Sequence, residues 1–476
     1  MRRLVFFLII SAIGIFYIST IRPGHTWGGD FSLYIHHAIN IIEGNDYGNT
    51  GYIYNPSYPY LGPTKYPPVY PLLIAPVFKL YGLNLAAMKV ELILLFLIFL
   101  VFFSLILKNE LSFTSSFFTL MLLVCNPYFW YLKDEIQSDI PFLLFTYISL
   151  YLIQKAYQAN KSLKNILIYS FLTGLFIYLS VGTRIIGAVL IPSIIIYEII
   201  KYKKLSLFSI TTTILFAIAL IIQNILLPSD GYYFDQFKFD FKSILHNIIW
   251  YTDSAFVVWE NGYSNLLKII LFTIVSIIAI IGYIVRIKNN LTILEIFFLT
   301  YLGVIILWPY SQGIRYLIPL IPIYLIYVVV GLTQFKFIPI KAIRSTLYYL
   351  LIIAMFGSYL GRYSKINFNS SYGGIDKKES IQLFKYIKEN TKVDDVFIFR
   401  KPRVLALYTD REAARYQYSN NDNDLWNFFE SIGATYVIKG YIDDPFFPRF
   451  IERNNNRFVE RYSNNDFKIY QIQWEY

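Results

Sequence analysis

"NLAAMKVELILLFLIFLVFFSLIL", residues 84–107, decides what kind of chain this is. From Leu92 to Leu107 the only polar side chain is Ser104. The run is about the length that crosses a hydrocarbon core as a helix, which takes roughly 20 apolar residues. Similar runs fall near residues 4–21, 111–130, 138–156, 165–182, 185–200, 206–227, 264–285, 291–308, 315–333 and 343–361. The expectation is therefore a polytopic α-helical membrane protein with about eleven transmembrane helices. Composition agrees: 56% of the 476 residues are hydrophobic and only 15% charged, where a soluble domain has about 25% charged residues. Mean hydropathy is +0.47.

The net charge of +11 does not point to nucleic acid, because the basic residues gather in short loops between apolar runs. Arg2/Arg3, Lys108, Lys155/Lys161/Lys164, Lys201/Lys203/Lys204, Arg286/Lys288 and Lys336/Lys341/Arg344 alternate with the remaining loops. By the positive-inside rule the first set is cytoplasmic. The other set, residues 22–83, 131–137, 183–184, 228–263, 309–314 and everything after about 362, is then extracytoplasmic. The opening "MRRLVFFLIISAIGIFYISTI" has a longer apolar core than a signal peptide and no small-x-small cleavage site, so it reads as an uncleaved first helix with a cytoplasmic N-terminus. The single cysteine, Cys125, excludes a disulfide framework and a zinc knuckle.

Two pieces of the first external loop, 22–83, stand apart. "PPVYPLLIAPVFKLYG", residues 67–82, is short and carries four prolines, which suits an interfacial or re-entrant segment. In residues 31–42, Phe31, Ile35, Ile39 and Ile42 share a face at helical spacing, as in a helix lying along a membrane surface, with His36 and His37 solvated. Beyond about residue 363 the composition changes. "KKESIQLFKYIKEN" reads as an amphipathic helix, and "DDVFIFR", "ATYVIKG" and "DFKIYQIQW" as short strands. The expected organisation is a membrane module over 1–362 and a small extracytoplasmic soluble α/β domain over 363–476.

The candidate chemistry lies in the outer loops. Asp30 follows Gly28-Gly29, a pair that suits a tight turn, and heads the surface helix. It is either a helix N-cap or a base that takes a proton from an acceptor hydroxyl; one residue can be both. Lys65 and Tyr66 precede two prolines that hold the backbone extended. Lys65 either snorkels to the interface or meets a phosphate. Arg184 in "SVGTRIIG" and Arg315 in "QGIRYLIPLIP" stand at outer helix ends. They serve as interfacial anchors, with Trp308, Tyr310 and Tyr316 as an aromatic belt, or else join Lys65 around an anionic lipid headgroup, which the guanidinium fork suits. "KDEIQSDIPF" holds Asp134, Glu135 and Asp139; Asp139 caps a helix, pairs with a cation or joins a metal site. His246, Asp253 and Glu260 lack ligand spacing, so a metal stays unassigned and a divalent cation is only possible.

An external Asp, then "KYPPVYPLLIAPVFKLYG" (65–82), "SDIPF" (138–142), "GTRIIGAVLIP" (182–192) and "GIRYLIPLIPIYL" (313–325), recurs in order in C-type glycosyltransferases. Over roughly residues 25–335 the chain resembles the bacterial protein mannosyltransferase and lipid A aminoarabinose transferase-like branch (family 39-like). "IKENTKVDDVFIFRKPRVLALYTDREAARY" (387–416) is similar to the soluble tail of many bacterial members. The resemblance implies a multi-pass bacterial inner (plasma) membrane enzyme that uses a polyprenyl-phosphate-linked sugar. Its acceptor would be a protein, lipid or polysaccharide on the extracytoplasmic face; no nucleic acid is involved. It implies Asp30 as the catalytic carboxylate. Lys65 and Tyr66, Arg184, Arg315 and Tyr316, and the second-loop Asp139 become substrate-binding residues. Relatives often carry an acidic residue and an arginine beside the first aspartate, where this chain has Phe31-Ser32-Leu33-Tyr34. Thr64 stands where an acidic residue sometimes precedes the lysine.

The expected mechanism is a single displacement at the anomeric carbon. The rivals are a secondary transporter, an envelope polysaccharide flippase or polymerase, and a receptor. Transporters place ionisable groups near the bilayer midplane, whereas Lys89, Glu91, Glu198 and Glu295 lie towards span ends.

Overall fold

The computed structural model describes residues 2–160, 162–227, 241–308, 313–334, 341–368, 370 and 372–474. Tyr310, Lys161, Lys336 and the 228–240 part of the long outer loop lie outside them. In chain order the helices begin with α1 Arg2–Ser19, α2 Gly29–Glu43, α3 Val69–Tyr81, α4 Leu85–Glu110, α5 Phe113–Val124, α6 Pro127–Leu132, α7 Asp139–Gln158 and α8 Leu163–Val181. Next come α9 Leu190–Tyr202, α10 Leu207–Leu226, α11 Phe241–Ala255, α12 Asn265–Asn290, α13 Ile293–Leu307, α14 Ile314–Leu317, α15 Ile321–Leu332 and α16 Lys341–Tyr363. The last four are α17 Lys378–Asn390, α18 Pro402–Thr409, α19 Asp422–Ser431 and α20 Phe446–Arg453. Strands β1 Tyr52–Ile53, β2 Val396–Ile398, β3 Glu412–Ala414, β4 Ala434–Gly440, β5 Phe458–Ser463 and β6 Phe467–Ile472 form one sheet. The chain divides into two compact units. The first takes residues 1–21, 90–134 and 138–368; the second takes 22–89, 135–137 and 369–476.

In the first unit, apolar helices dominate. Across the described residues 7 helices are long and apolar enough to cross a membrane: Leu85–Glu110, Asp139–Gln158, Leu163–Val181, Ile185–Tyr202, Leu207–Leu226, Asn265–Asn290 and Ile314–Leu332. The expectation was about eleven. Three of the other four runs form the shorter apolar helices Leu4–Ser19, Phe113–Val124 and Ile293–Leu307; the fourth lies in α16. Local polar groups account for two of these lengths. The run at 111–130 breaks after Val124 because the Asn126 side chain accepts from Tyr128 N–H (2.9 Å) and caps a new helix at Pro127. α13 starts at Ile293 because Thr292 and Glu295 form a reciprocal capping box.

Burial separates these helices. Of the most apolar window, 72% is buried in Asp139–Gln158 and in Ile314–Leu332, against 11% in Leu207–Leu226. The two enclosed helices carry Asp139 and Arg315 at their starts. α12 and α15 approach through Gly282 and Gly331: a Cβ on Gly282 would lie 1.9 Å from the Tyr327 carbonyl oxygen, and one on Gly331 2.0 Å from that of Ile278. Such contact between backbones requires glycine.

The second unit joins the 22–89 segment, which includes a loop, to the tail. β1, from that loop, pairs in parallel with β3 of the tail, Tyr52 opposite Ala413 and Ile53 opposite Ala414. The sheet order is β1-β3-β2-β4-β6-β5, with β1, β3, β2 and β4 parallel and β6 and β5 antiparallel. Its core is aromatic: Tyr416, Trp426, Phe429, Phe447, Phe450 and Phe458. Trp27 packs against Phe384, Phe399 and Phe467 while its indole N–H donates to Tyr441 Oη (2.9 Å). That anchors the chain just ahead of Asp30.

α2 departs from the expected surface helix. Its residues Phe31 to Ile35, His37, Ala38 and Asn40 are all buried, and Tyr34 packs its ring against Tyr70 of α3 (4.9 Å). His37 and Asn40 go inside because both bond the loop carbonyl of Tyr47, which satisfies their polar groups away from water.

Candidate functional site

The site residues form two groups, one in each unit. In the second unit Asp30 is not the N-cap. Gly28 holds that position, with φ −62° and ψ 123° and no side-chain cap bond. The Gly28-Gly29 pair therefore supplies no glycine-only turn. Gly29 lies against Arg403, whose Cδ would be in ordinary contact, at 3.5 Å, with an added Cβ. Asp30 Oδ1 accepts a hydrogen bond from Tyr66 Oη (2.9 Å). Tyr66 Oη in turn accepts from Arg403 Nη1 (2.7 Å), and Arg403 Nη2 donates to the Pro63 carbonyl (2.8 Å). Arg403 Nη1 lies 3.7 Å from Asp30 Oδ1; the Arg403 side chain is 1% exposed and that of Asp30 26%.

Tyr66 is fixed from three more sides. Its N–H donates to His37 Nε2 (3.2 Å), its carbonyl accepts from Tyr47 Oη (2.7 Å), and its ring lies 4.9 Å from that of Tyr34. Because Nε2 accepts, the His37 proton sits on Nδ1, which donates to the Tyr47 carbonyl (2.7 Å). Burial holds the imidazole neutral, with its pKa lowered to about 3. His37 is thus a buried strut between α2 and the loop, not a solvated surface residue; His36 is half-buried. Gly62, at φ 88° and ψ 177°, occupies backbone space that other residues avoid. It turns the chain so that Pro63 meets Arg403.

Two lysines flank this group. Lys65 is half-buried over Gly48, where an added Cβ would come within 2.5 Å of its Cε. Lys401, in the loop between β2 and α18, makes no side-chain hydrogen bond or ion pair among the described residues. Burial lowers its pKa to about 8, Arg400 and Arg415 push the same way, and Asp30 opposes them. For Arg403, burial favours loss of the proton, but Tyr66, Tyr52 and Asp30 outweigh it and hold the guanidinium above its ordinary value.

In the first unit Asp139 opens α7 and is 2% exposed. Its Oδ1 pairs with Arg184 Nη1, and its Oδ2 accepts from Arg315 Nε (3.1 Å) and Nη2 (3.0 Å). Arg184 also lies over the Tyr316 ring, 4.9 Å from its centroid. Arg184, Asp139, Arg315 and Tyr316 are therefore one assembly carrying one net positive charge. Gly313, at φ 58° and ψ −147°, turns the chain into α14 and so aims Arg315.

The acidic cluster of residues 134–139 does not stay together. Asp134 pairs with Lys133 (2.7 Å), which also donates to the Thr20 carbonyl. Glu135 belongs to the second unit, where it faces His25 (3.8 Å) and accepts from Tyr372 Oη. Glu260 pairs with Lys268 (3.2 Å) and His246 lies against Trp250. Among the described residues no three of His, Cys, Asp and Glu come together as metal donors, and no step through a metal is derived. Sequence reasoning missed Arg403 and Lys401. The available signal was "FRKPR" directly after a strand, since open α/β sheets use the loops at strand carboxyl ends for binding.

Residues 65–226 match the family model described as dolichyl-phosphate-mannose-protein mannosyltransferase. No curated protein sequence matches the chain. Among solved structures, ArnT from Cupriavidus metallidurans in the apo state is similar with a TM-score of 0.64 at 10% identity, over 98% of this chain and 97% of that one. The same protein bound to undecaprenyl phosphate gives 0.58 at 9% identity over the same shares. The archaeal oligosaccharyltransferase AglB from Archaeoglobus fulgidus, in complex with an inhibitory peptide and a dolichol-phosphate, gives 0.61 at 10% identity over 92% of this chain and 70% of that one. The chain carries the C-type glycosyltransferase fold, with the sequence pattern of the mannosyltransferase family over residues 65–226.

Proposed function

We propose that this chain is an integral-membrane glycosyltransferase. It moves a sugar from a polyprenyl-phosphate donor to a hydroxyl of a protein, lipid or polysaccharide acceptor on the extracytoplasmic face of a bacterial inner membrane. About eleven helices span that membrane, the N-terminus is cytoplasmic, and the 363–476 tail lies outside. The observation that carries the reading is Asp30, a carboxylate held by a tyrosine hydroxyl yet 26% exposed, and so both oriented and reachable.

In the proposed step the acceptor oxygen attacks the anomeric carbon and the bond from that carbon to the phosphate oxygen breaks. Asp30 takes the hydroxyl proton. The departing phosphate passes from one negative charge towards two. Lys65 stabilises that gain; in the first unit Arg184 and Arg315, with Tyr316 behind Arg184, are the further residues suited to hold a lipid phosphate. One such electrostatic contact is worth about 10²–10³ in turnover. Helix-end pairing of Glu198, Glu110, Arg286 and Glu295 supports transfer over transport. Glu198 accepts from Tyr157 Oη (2.9 Å) and Ser209 Oγ (2.6 Å), and Arg286 pairs with Glu110 and Glu295 (2.6 and 2.5 Å).

The test is mass analysis of envelope glycans and lipids from cells lacking the protein, restored with wild type or with Asp30→Asn at equal protein levels. Wild type restores a species heavier by one sugar and the variant does not. Near-normal addition by the variant removes Asp30 from the role of base.

A further inference from the structure

The step above leaves one side chain of this group unused. Arg403 is a nearly sealed cation, and only part of its donor set is spent on holding the tail to the loop. Nη2 makes that structural bond, to the Pro63 carbonyl (2.8 Å). Nη1 goes instead to the Tyr66 hydroxyl (2.7 Å). A hydroxyl has a single proton. When its oxygen accepts from a guanidinium, the proton points to an acceptor, here Asp30 Oδ1 at 2.9 Å. The chain of bonds is therefore directional: guanidinium to phenol oxygen, phenol proton to carboxylate. Each bond polarises the next. We infer that Arg403 is a positioning residue for Asp30, acting through the Tyr66 hydroxyl, so that the tail is part of the transfer machinery; this rests on the reading of Asp30 as the base.

Three further observations carry the inference. Arg403 is clamped against two rings, with its guanidinium carbon 4.6 Å from the Tyr52 centroid and 5.1 Å from that of Tyr66. That fixes the plane of the fork and hence the direction of Nη1. Gly62, at φ 88°, turns the chain so that the Pro63 carbonyl faces Nη2. Third, Arg403 stands at the start of α18, just past the carboxyl end of β2. Parallel neighbours β3 and β4 flank β2 on opposite sides. The connections diverge at that end, the place where an open α/β sheet presents its binding loop.

The experiment uses the full chain. Arg403→Met, Arg403→Lys, Tyr66→Phe and the Arg403→Met/Tyr66→Phe double variant are compared with wild type in three measurements. These are the one-sugar mass shift in cells, binding of undecaprenyl phosphate by the purified protein, and thermal unfolding. The expected result for Arg403→Met is a drop in transfer of about 100-fold, the typical cost of a misplaced reacting group, with binding within about twofold of wild type. Arg403→Lys recovers part of the loss, and the double variant is no worse than Tyr66→Phe alone, because both break one path. Transfer by folded Arg403→Met within about twofold of wild type, or additive losses in the double variant, overturns the inference. Should Arg403→Met not fold, Tyr66→Phe decides, since it leaves the Pro63 bond in place. Lost transfer with retained binding supports the path, and unchanged transfer overturns it. If Asp30→Asn stays active, the base reading itself has failed; if Asp30→Asn is inactive while Tyr66→Phe is active, only the positioning path has.

Discussion

Asp30 and Asp139 each stand in the first turn of a helix, and in sequence each reads as a cap. In the fold they are opposites. Asp139 is 2% exposed and gripped by two guanidiniums, so its charge is more than cancelled and its lone pairs are committed. Asp30 is a quarter exposed, accepts from the Tyr66 hydroxyl at Oδ1 and has Arg403 Nη1 at 3.7 Å. A carboxylate that is sealed and doubly paired organises cations. One that is oriented but reachable can exchange a proton. Exposure, rather than residue type or helix position, separates the two roles.

The sharpest attack on this contrast is to neutralise each aspartate. Asp30→Asn is expected to cut sugar transfer by about 10²–10⁴-fold, the usual worth of a general base, with unchanged unfolding. Asp139→Asn is expected to do the reverse first. It leaves two guanidiniums underpaired and lowers stability by about 3–5 kcal/mol, read as a lower midpoint in thermal unfolding of the purified protein. If Asp139→Asn kept full stability and lost only transfer, the two roles would be exchanged.

Acid probes the second unit more gently. The unfolded chain protonates His37 near its ordinary value of about 6.5, whereas the native imidazole resists until about 3. The unfolded state therefore binds more protons in that window. Stability is full above pH 6.5 and falls as pH drops towards 3, by up to about 1.4 kcal/mol per pH unit. The protection factor of the Tyr66 amide against hydrogen exchange should fall across this range, and His37→Gln should flatten the dependence. The smallest expected effect comes from Gly313→Ala. Its backbone strain costs about 1–3 kcal/mol, some of which the short α14 relieves by shifting. Weaker undecaprenyl phosphate binding with little change in unfolding would tie that turn to the aim of Arg315.

The apolar runs made the helical membrane unit legible, because burial against lipid or protein requires long stretches of one chemistry. The tail's "DDVFIFR", "ATYVIKG" and "DFKIYQIQW" each contain a strand of the sheet. What stayed hidden depends on pairs far apart in the chain. Arg403 meets Tyr66 across 337 positions, and no local spacing encodes that. β1 has two residues, too few for any alternation to register. His36-His37 looked solvated because adjacent residues on a helix point apart; only the carbonyl of Tyr47 shows why one of them is inside. Glu135 and Asp139 misled for the same reason, since their partners Tyr372, Arg184 and Arg315 lie far along the chain.

β1 also sets a condition on biosynthesis. The amide of Ala413 reaches the Gly51 carbonyl (2.8 Å), and the Asn55 side chain bonds the Arg415 carbonyl (2.8 Å) and the Gln417 amide (2.9 Å). The loop emerges early in translation and its partners some 360 positions later, so closing this joint is slow and comes late. A chain cut short anywhere before the tail keeps its acidic residue at position 30 but lacks the arginine that aligns it. Completing the sheet thus orders the 51–55 stretch only after the tail has been made.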